Sequence, residues 1–321
     1  MGDPEASPLV SIVVATYRRQ DLVVRAVRSA LAQTHPRVEV VVSDDASPDG
    51  TWDALRAVAA GEARLQVSRQ PANAGVWANW TEVVRRARGE YLVFLGDDDV
   101  LDPEFAARHL EVFRRLPGTV AVFSAHEERT PAGGFLRGFR PPFGDDRQAT
   151  PDEFFEAIAR WDLFFGAAMF RREEAARVWE MTRPDGIVAD VGLMYRLALS
   201  EKAPVAGCPH VGYLKTTHPV QLSSAHVSVT GLLRDLMARL APLAEVPAHR
   251  RRLLRLAALE GVTLGRHHAA EDRMPEARRE FRRAMGTSPG CLAAWTQWVQ
   301  SLLLPGRVRR TSRAQRPSAP R

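Results

Sequence analysis

Apolar positions fall into short uninterrupted runs near the amino terminus of this chain and into helix-spaced stripes toward its carboxyl terminus. Val10-Ser11-Ile12-Val13-Val14-Ala15, Val38-Glu39-Val40-Val41-Val42-Ser43 and Tyr91-Leu92-Val93-Phe94-Leu95 are the runs. Runs of that length bounded by polar turns predict strands buried on both faces, as in a parallel sheet covered by helices. After each run the spacing becomes that of an amphipathic helix: Leu22, Val23, Ala26, Val27, Ala30 and Leu31, then Trp52, Leu55, Val58 and Ala59. Val120-Ala121-Val122-Phe123-Ser124 predicts another strand, and Asp102-Pro103-Glu104 a helix start with proline in its first turn. Thr150-Pro151-Asp152-Glu153 has the form of a capping box. Residues 130–148 have no clear period and read as a long loop, a kind of segment that is usually functional. Phe154, Phe155, Trp161, Phe164 and Phe165 read as core in preference to a sugar-stacking platform. Toward the end, Ala277, Phe281, Ala284 and Met285 share one helical face, and Leu292, Trp295, Val299, Leu302 and Leu303 share another.

Strands alternating with helices predict an α/β fold, and in open α/β sheets ligands bind beyond the carboxyl ends of the strands. All three runs end in polar turns there. These are Thr16-Tyr17-Arg18-Arg19, Asp44-Asp45-Ala46-Ser47-Pro48-Asp49-Gly50-Thr51 and Gly96-Asp97-Asp98-Asp99. Three consecutive carboxylates repel one another and lose hydration unless a cation or a set of donors meets them. A hard divalent ion such as Mg²⁺ or Mn²⁺ takes oxygen ligands and shares them with substrate phosphates. An acidic turn capping the next helix is the alternative reading. The chain has no glycine-rich dinucleotide fingerprint and no phosphate-cradling loop with its lysine, which leaves a metal as the natural partner of a diphosphate.

Taken in order, Pro8 through Tyr17, Asp44 through Thr51, Asn73-Ala74-Gly75, Gly89 through Leu95, and Asp97-Asp98-Asp99 with Pro103 resemble the family 2, GT-A-fold glycosyltransferases. The resemblance runs from about residue 8 to residue 225. It implies a GT-A Rossmann-like, mostly parallel sheet flanked by helices, with a C-terminal helical extension added in this chain. It further implies transfer of a sugar, with inversion, from a nucleotide-diphosphate donor such as a UDP-sugar to an acceptor hydroxyl in cell-envelope glycan or polysaccharide synthesis. On the same ground Ala15, Thr16 and Tyr17 contact the nucleotide, Asp45 the base and Asp97 the ribose region. Asp98 is then the metal ligand, with Asp99 sharing the metal or orienting it. Asp190 matches the catalytic carboxylate; a charge complementing a helix dipole is its other reading. His218 matches a late residue that reaches the metal or diphosphate, the alternative being a surface histidine in a turn.

Two features depart from the family pattern. Gly96 stands where many members carry the first Asp of Asp-x-Asp, and the stretch from Asn73 to Asn79 is short, so Asn79 receives no assigned contact. Two rival readings follow. A nucleotidyltransferase would need a basic phosphate-gripping loop, for which only Arg18-Arg19 is available; a catalytically degenerate relative acting as a binding or scaffold module finds its support in Gly96.

Composition adds the boundaries. The 321 residues, 45% of them hydrophobic, suffice for a catalytic domain over 1–225, a helical accessory region over 226–305 and a basic disordered tail over 306–321. Two cysteines give neither a disulfide framework nor a cysteine zinc site. The polar start carries no signal-peptide pattern and no apolar run reaches the ~20 residues of a membrane span, so a cytoplasmic protein is expected. The net charge of +6 is uneven: residues 226–321 hold 18 arginines against seven acidic residues, while 1–225 is net acidic. That basic third is expected to give peripheral contact with the anionic inner face of a membrane. The other expected partners are a nucleotide-sugar donor and a glycan or lipid-linked acceptor, and no nucleic acid is expected.

Overall fold

In the computed structural model, which describes residues 7–200, 203–217, 226–303 and 308, the first two apolar runs become β1 (Val10–Thr16) and β2 (Val38–Asp44). With β3 (Leu65–Arg69) and β4 (Tyr91–Phe94) they form a parallel set ordered 3-2-1-4. All of β2 is buried, and β1 nearly so, as strands covered on both faces must be. The crossovers are α1 (Gln20–Leu31), α2 (Thr51–Ala59) and α3 (Val76–Arg86). From β1 the chain winds outward through β2 and β3, then returns to lay β4 on the opposite side of β1. The strand order therefore reverses between β1 and β4, the place where an α/β sheet opens a crevice for ligands.

Beyond β4 the sheet is mixed. Its elements are β5 (Val100–Leu101), α4 (Phe105–Arg115), β6 (Ala121–Arg129), β7 (Phe135–Phe139), α5 (Pro151–Ala159), β8 (Ala168–Arg171), α6 (Arg172–Glu180), α7 (Ala189–Ala198) and β9 (Val205–Thr216). The order continues β4-β8-β6-β9-β5, with β8 antiparallel to both neighbours and β9 parallel to β6. Two reversals leave β6 and β9 ending on the same side of the sheet as β1 and β4. The segment 130–148, read as a loop, in fact contains β7, which pairs with β6 as a hairpin. Its residues are mostly exposed, so no core-facing alternation marks it as a strand. β9 holds Pro209 where its register against β6 shifts, the bulge a proline inside a sheet requires.

The aromatic core centres on Phe94, whose ring lies 4.7–5.9 Å from those of Phe165, Phe170, Trp179 and Trp80. Phe154, Phe155 and Phe165 are buried as expected, whereas Trp161 is half-exposed at a positive φ of 61°. The capping box is present: Thr150 Oγ1 accepts from the Glu153 amide at 3.2 Å, and Glu153 Oε2 accepts from the Thr150 amide at 2.8 Å. Asp102 caps the turn ahead of α4 by accepting from the Glu104 amide at 2.9 Å.

The chain divides into two compact units, Met1–Pro219 and Val220–Arg321. The second consists of α8 (His226–Leu240), α9 (Pro247–Ala270), α10 (Met274–Thr287) and α11 (Leu292–Leu303). Ala277, Phe281 and Ala284 of α10 are buried, and a Cβ at Gly265 would run into the Phe281 ring, so glycine there lets α9 and α10 close. Val308, in the segment read as a tail, is buried with Ala269, Met274, Ala277 and Phe281. In α11 the residues turned inward are Ala294, Gln297 and Ser301, while its apolar stripe is exposed. Among the described residues no helix is long and apolar enough to cross a membrane.

Candidate functional site

At the strand-order reversal, the ends of β1 and β4 are joined by a side-chain bond: Thr16 Oγ1 donates to Asp97 Oδ2 at 2.8 Å. Arg19 Nε lies 4.0 Å from the other carboxylate oxygen of Asp97. Burial, reinforced by the charge of Asp98, pushes the Asp97 carboxyl up to about 7, against the pull of Thr16 and Arg19. Tyr17, next along this loop, is exposed, and Ala15 is partly buried.

The carboxylates of Asp97 and Asp99 have different partners. Asp99 turns inward, where its Oδ2 accepts from the Tyr213 hydroxyl at 2.6 Å and its Oδ1 from the Thr216 amide at 2.7 Å. Its carboxyl too is pushed up to about 7, first by burial and then by Asp98, with Tyr213 and Thr216 opposing. Asp99 thereby fastens the end of β9 to the acidic turn. Asp97, turned to Thr16, and Asp98 next to it are only partly buried. Two adjacent carboxylates at the end of a buried sheet form a hard-oxygen donor pair, which suits Mg²⁺ or Mn²⁺.

The turn itself is held from behind by α1. Arg25 Nη2 donates to the Asp98 carbonyl at 2.6 Å and to Thr216 Oγ1 at 2.8 Å. One helical turn on, Ser29 Oγ accepts from the Leu101 amide at 3.1 Å. Gln33 then donates to the Asp102 carbonyl at 2.8 Å and accepts from the Ala106 amide at 2.9 Å. Arg25 and Ser29 share one face of α1, and Gln33 follows just past its end. Their role escaped the sequence reading, which tracked only the apolar face of this helix.

Gly96 is explained by space. The Tyr213 hydroxyl accepts from its amide at 3.2 Å, and the Asp99 amide donates back to the Gly96 carbonyl at 3.2 Å. A Cβ at this position would lie 2.7 Å from Asp99 Oδ2 and 3.3 Å from Asp98 Oδ1. Gly96→Ala should therefore destabilise the protein by about 1–3 kcal/mol. Chemical denaturation measures this, and a variant as stable as the parent would show that the turn relaxes freely.

Asp45 is buried, and its carboxylate accepts from the amides of Ala74 at 2.7 Å and Gly75 at 3.0 Å. The Asn73-Ala74-Gly75 motif is thus secured to the end of β2. Gly75, at φ 86°, adopts the left-handed backbone that starts α3. Asn79, given no role from sequence, is buried and donates to the carbonyls of Ser43 at 3.0 Å and Thr16 at 3.3 Å, tying the ends of β1 and β2 together. Arg18 and Ala46 take positive φ values of 58° and 56° in the two loops, a backbone cost of the kind that collects at binding sites.

Asp190 lies in the first turn of α7, partly buried, and desolvation raises its carboxyl to about 6 against nearby backbone donors. The preceding segment is fixed by a buried ion pair between Asp185 and Arg196, for which Gly192 leaves the room. It is fixed to α3 as well. Trp77 Nε1 donates to Thr182 Oγ1 at 3.2 Å, Trp179 Nε1 donates to Thr81 Oγ1 at 3.0 Å, and the Arg183 guanidinium lies 5.7 Å over the Trp77 ring. A line of contacts therefore runs from Asp45 through α3 to the turn before Asp190. His218 lies outside the described residues.

Asp102, Glu104 and His210 form a separate trio whose potential ligand atoms all lie within 4.8 Å of one another. Its members are engaged already, Asp102 in the cap and with His210 Nε2 at 2.8 Å, Glu104 with Arg108 at 3.2 Å.

A model of glycosyl transferase family 2 matches residues 11–178 of the chain. TuaG of Bacillus subtilis (strain 168), provisionally assigned as a teichuronic acid biosynthesis glycosyltransferase, is 34% identical over 104 residues, 32% of this chain and 41% of that protein. WfaP of Escherichia coli, a UDP-Glc:alpha-D-GlcNAc-diphosphoundecaprenol beta-1,3-glucosyltransferase, is 33% identical over 91 residues, 28% of this chain and 36% of that protein. The match thus spans less than half the length of either relative. Among solved structures, Staphylococcus aureus TarS 1–349 in complex with UDP-GlcNAc aligns over 95% of this chain and 90% of that one, with a TM-score of 0.66 at 14% identity. At that identity the likeness is one of fold.

Proposed function

This chain belongs to glycosyl transferase family 2 and has a GT-A fold, and on that premise we propose that it transfers a sugar from a UDP-sugar, with inversion, to a hydroxyl of a cell-envelope glycan. The observation that carries the reading is the Thr16–Asp97 bond, which closes the strand-order reversal directly beside Asp98. The donor is supported by the UDP-sugar named for WfaP, and the acceptor by the polymers and lipid carrier named for the relatives.

In this reading Thr16, Tyr17 and Ala15 line the nucleotide, Asp45 meets the base directly or through the 73–75 loop it holds, and Asp97 faces the ribose. Asp98, with Asp97 beside it, holds a divalent metal. Asp99 supports them from behind while bonded to Tyr213 and Thr216. His218 is carried as a further ligand. When bound, the metal supplies Lewis-acid stabilisation of the charge that develops on the departing diphosphate. Asp190 takes the proton of the acceptor hydroxyl as that oxygen attacks the anomeric carbon, on the face opposite the leaving group. Its raised pKa keeps it basic enough for this task and still ionised near neutrality.

A thermal-shift series tests the donor and the metal together, because a ligand that binds only the native state raises the melting temperature. UDP with Mn²⁺ at saturating concentration should raise it by about 5 °C or more, and GDP or dTDP by less. No shift with any nucleotide, or an equal shift after chelation of the metal, overturns the reading.

A further inference from the structure

Helix α11 is amphipathic, and its apolar side faces outward. Leu292, Trp295, Val299, Leu302 and Leu303 are all exposed, Leu292 at 78% and Leu303 at 73%. A single exposed leucine is ordinary, whereas five large apolar side chains at helical spacing along one face mark an interaction surface. Two polar groups on that face are already bonded within the protein. Trp295 Nε1 donates to the Pro289 carbonyl at 2.9 Å, and Thr296 Oγ1 donates to the Leu292 carbonyl at 2.9 Å. Moving the face into an apolar medium therefore leaves neither of these donors unpaired.

Charge indicates which medium. No residue from Leu292 to Leu303 is charged, and residues 304–321 hold six arginines with no acidic residue. We propose that this face of α11 docks on an anionic membrane, its apolar stripe entering the headgroup boundary and the arginines that follow meeting the anionic lipids. Partial insertion of one short helix gives marginal binding, as does a basic segment by itself; the two together give stable attachment. A second copy of the chain fits the stripe less well, because each copy brings its own arginine-rich segment with no acidic residues to oppose the other's. The proposal stands apart from the reading of the catalytic site, since attachment is measured without any transfer reaction. If both hold, the enzyme works at the surface where a lipid-linked acceptor resides.

Co-sedimentation of the full chain with phosphatidylcholine vesicles, with and without phosphatidylglycerol, tests it. Binding should require phosphatidylglycerol and weaken as salt is added. The double substitution Leu302→Ser and Leu303→Ser should weaken it by roughly tenfold per leucine. Reversing charge with Arg309→Glu and Arg310→Glu, which leaves the sequence of residues 292–303 intact, should weaken it by at least about tenfold. No binding to phosphatidylglycerol vesicles at low salt overturns the proposal. So does equal binding by the serine variant, or self-association in sedimentation velocity that the serine variant abolishes.

Discussion

Asp98→Asn should lower glycosyl transfer by about 10³-fold or more, the scale expected when a site loses the cation that offsets several kcal/mol of developing charge. The same variant should lose Mn²⁺-dependent UDP affinity in calorimetry while its unfolding transition stays within about 0.5 kcal/mol of the parent. The reason is geometric. The backbone of Asp98 is held by Arg25 and the residue is only partly buried, so an amide of the same size is expected to be tolerated there. With the neighbouring charge gone, one of the two influences that raise the Asp97 carboxyl also disappears. Unchanged Mn²⁺-dependent UDP affinity would remove Asp98 from the metal site, and the reading would have to rest on Asp97.

Asp190→Asn should lower kcat by about 10²–10⁴-fold, the span typical of losing a general base, and leave UDP affinity as it was. The pH profile separates a base from a residue that merely shapes the acceptor side. A carboxyl raised to about 6 by burial is protonated below that value and cannot accept a proton there, so kcat should climb through about pH 6 and level off above it. Asparagine has no such titration, and the residual activity of the variant should lack that limb. Near-parental turnover, or an unchanged limb in the variant, rejects Asp190 as the base.

What the sequence revealed and what it hid divide along physical lines. β1, β2 and β4 were legible because strands covered on both faces must be apolar throughout. β3 was not, because Leu65-Gln66-Val67-Ser68-Arg69 is a half-exposed edge strand with only two apolar residues. β9 was hidden by Gly207, Pro209 and Gly212, which interrupt its pattern and are reconciled with a strand only by the bulge against β6. The acidic turn was legible as a place but not as an arrangement. Nothing near residue 99 shows that its carboxylate is taken by Tyr213 and Thr216, more than a hundred residues later. The stripe on α11 was legible as a helix face, yet periodicity is silent about which face turns inward. There the small and polar Ala294, Gln297 and Ser301 do so. Gly96 looked like erosion of a motif until the position of Asp99 showed that a side chain there would press on its carboxylate.

The bonds from Arg25, Ser29 and Gln33 have a consequence for how such a site can change over generations. Nearly all of them end on main-chain atoms of residues 98–106, so α1 and the residues just past its end recognise the path of that segment and are indifferent to most of its side chains. Location and chemistry are thereby inherited separately. A lineage can revise what the turn grips while where it stands remains written elsewhere, in a segment that does not itself form the turn.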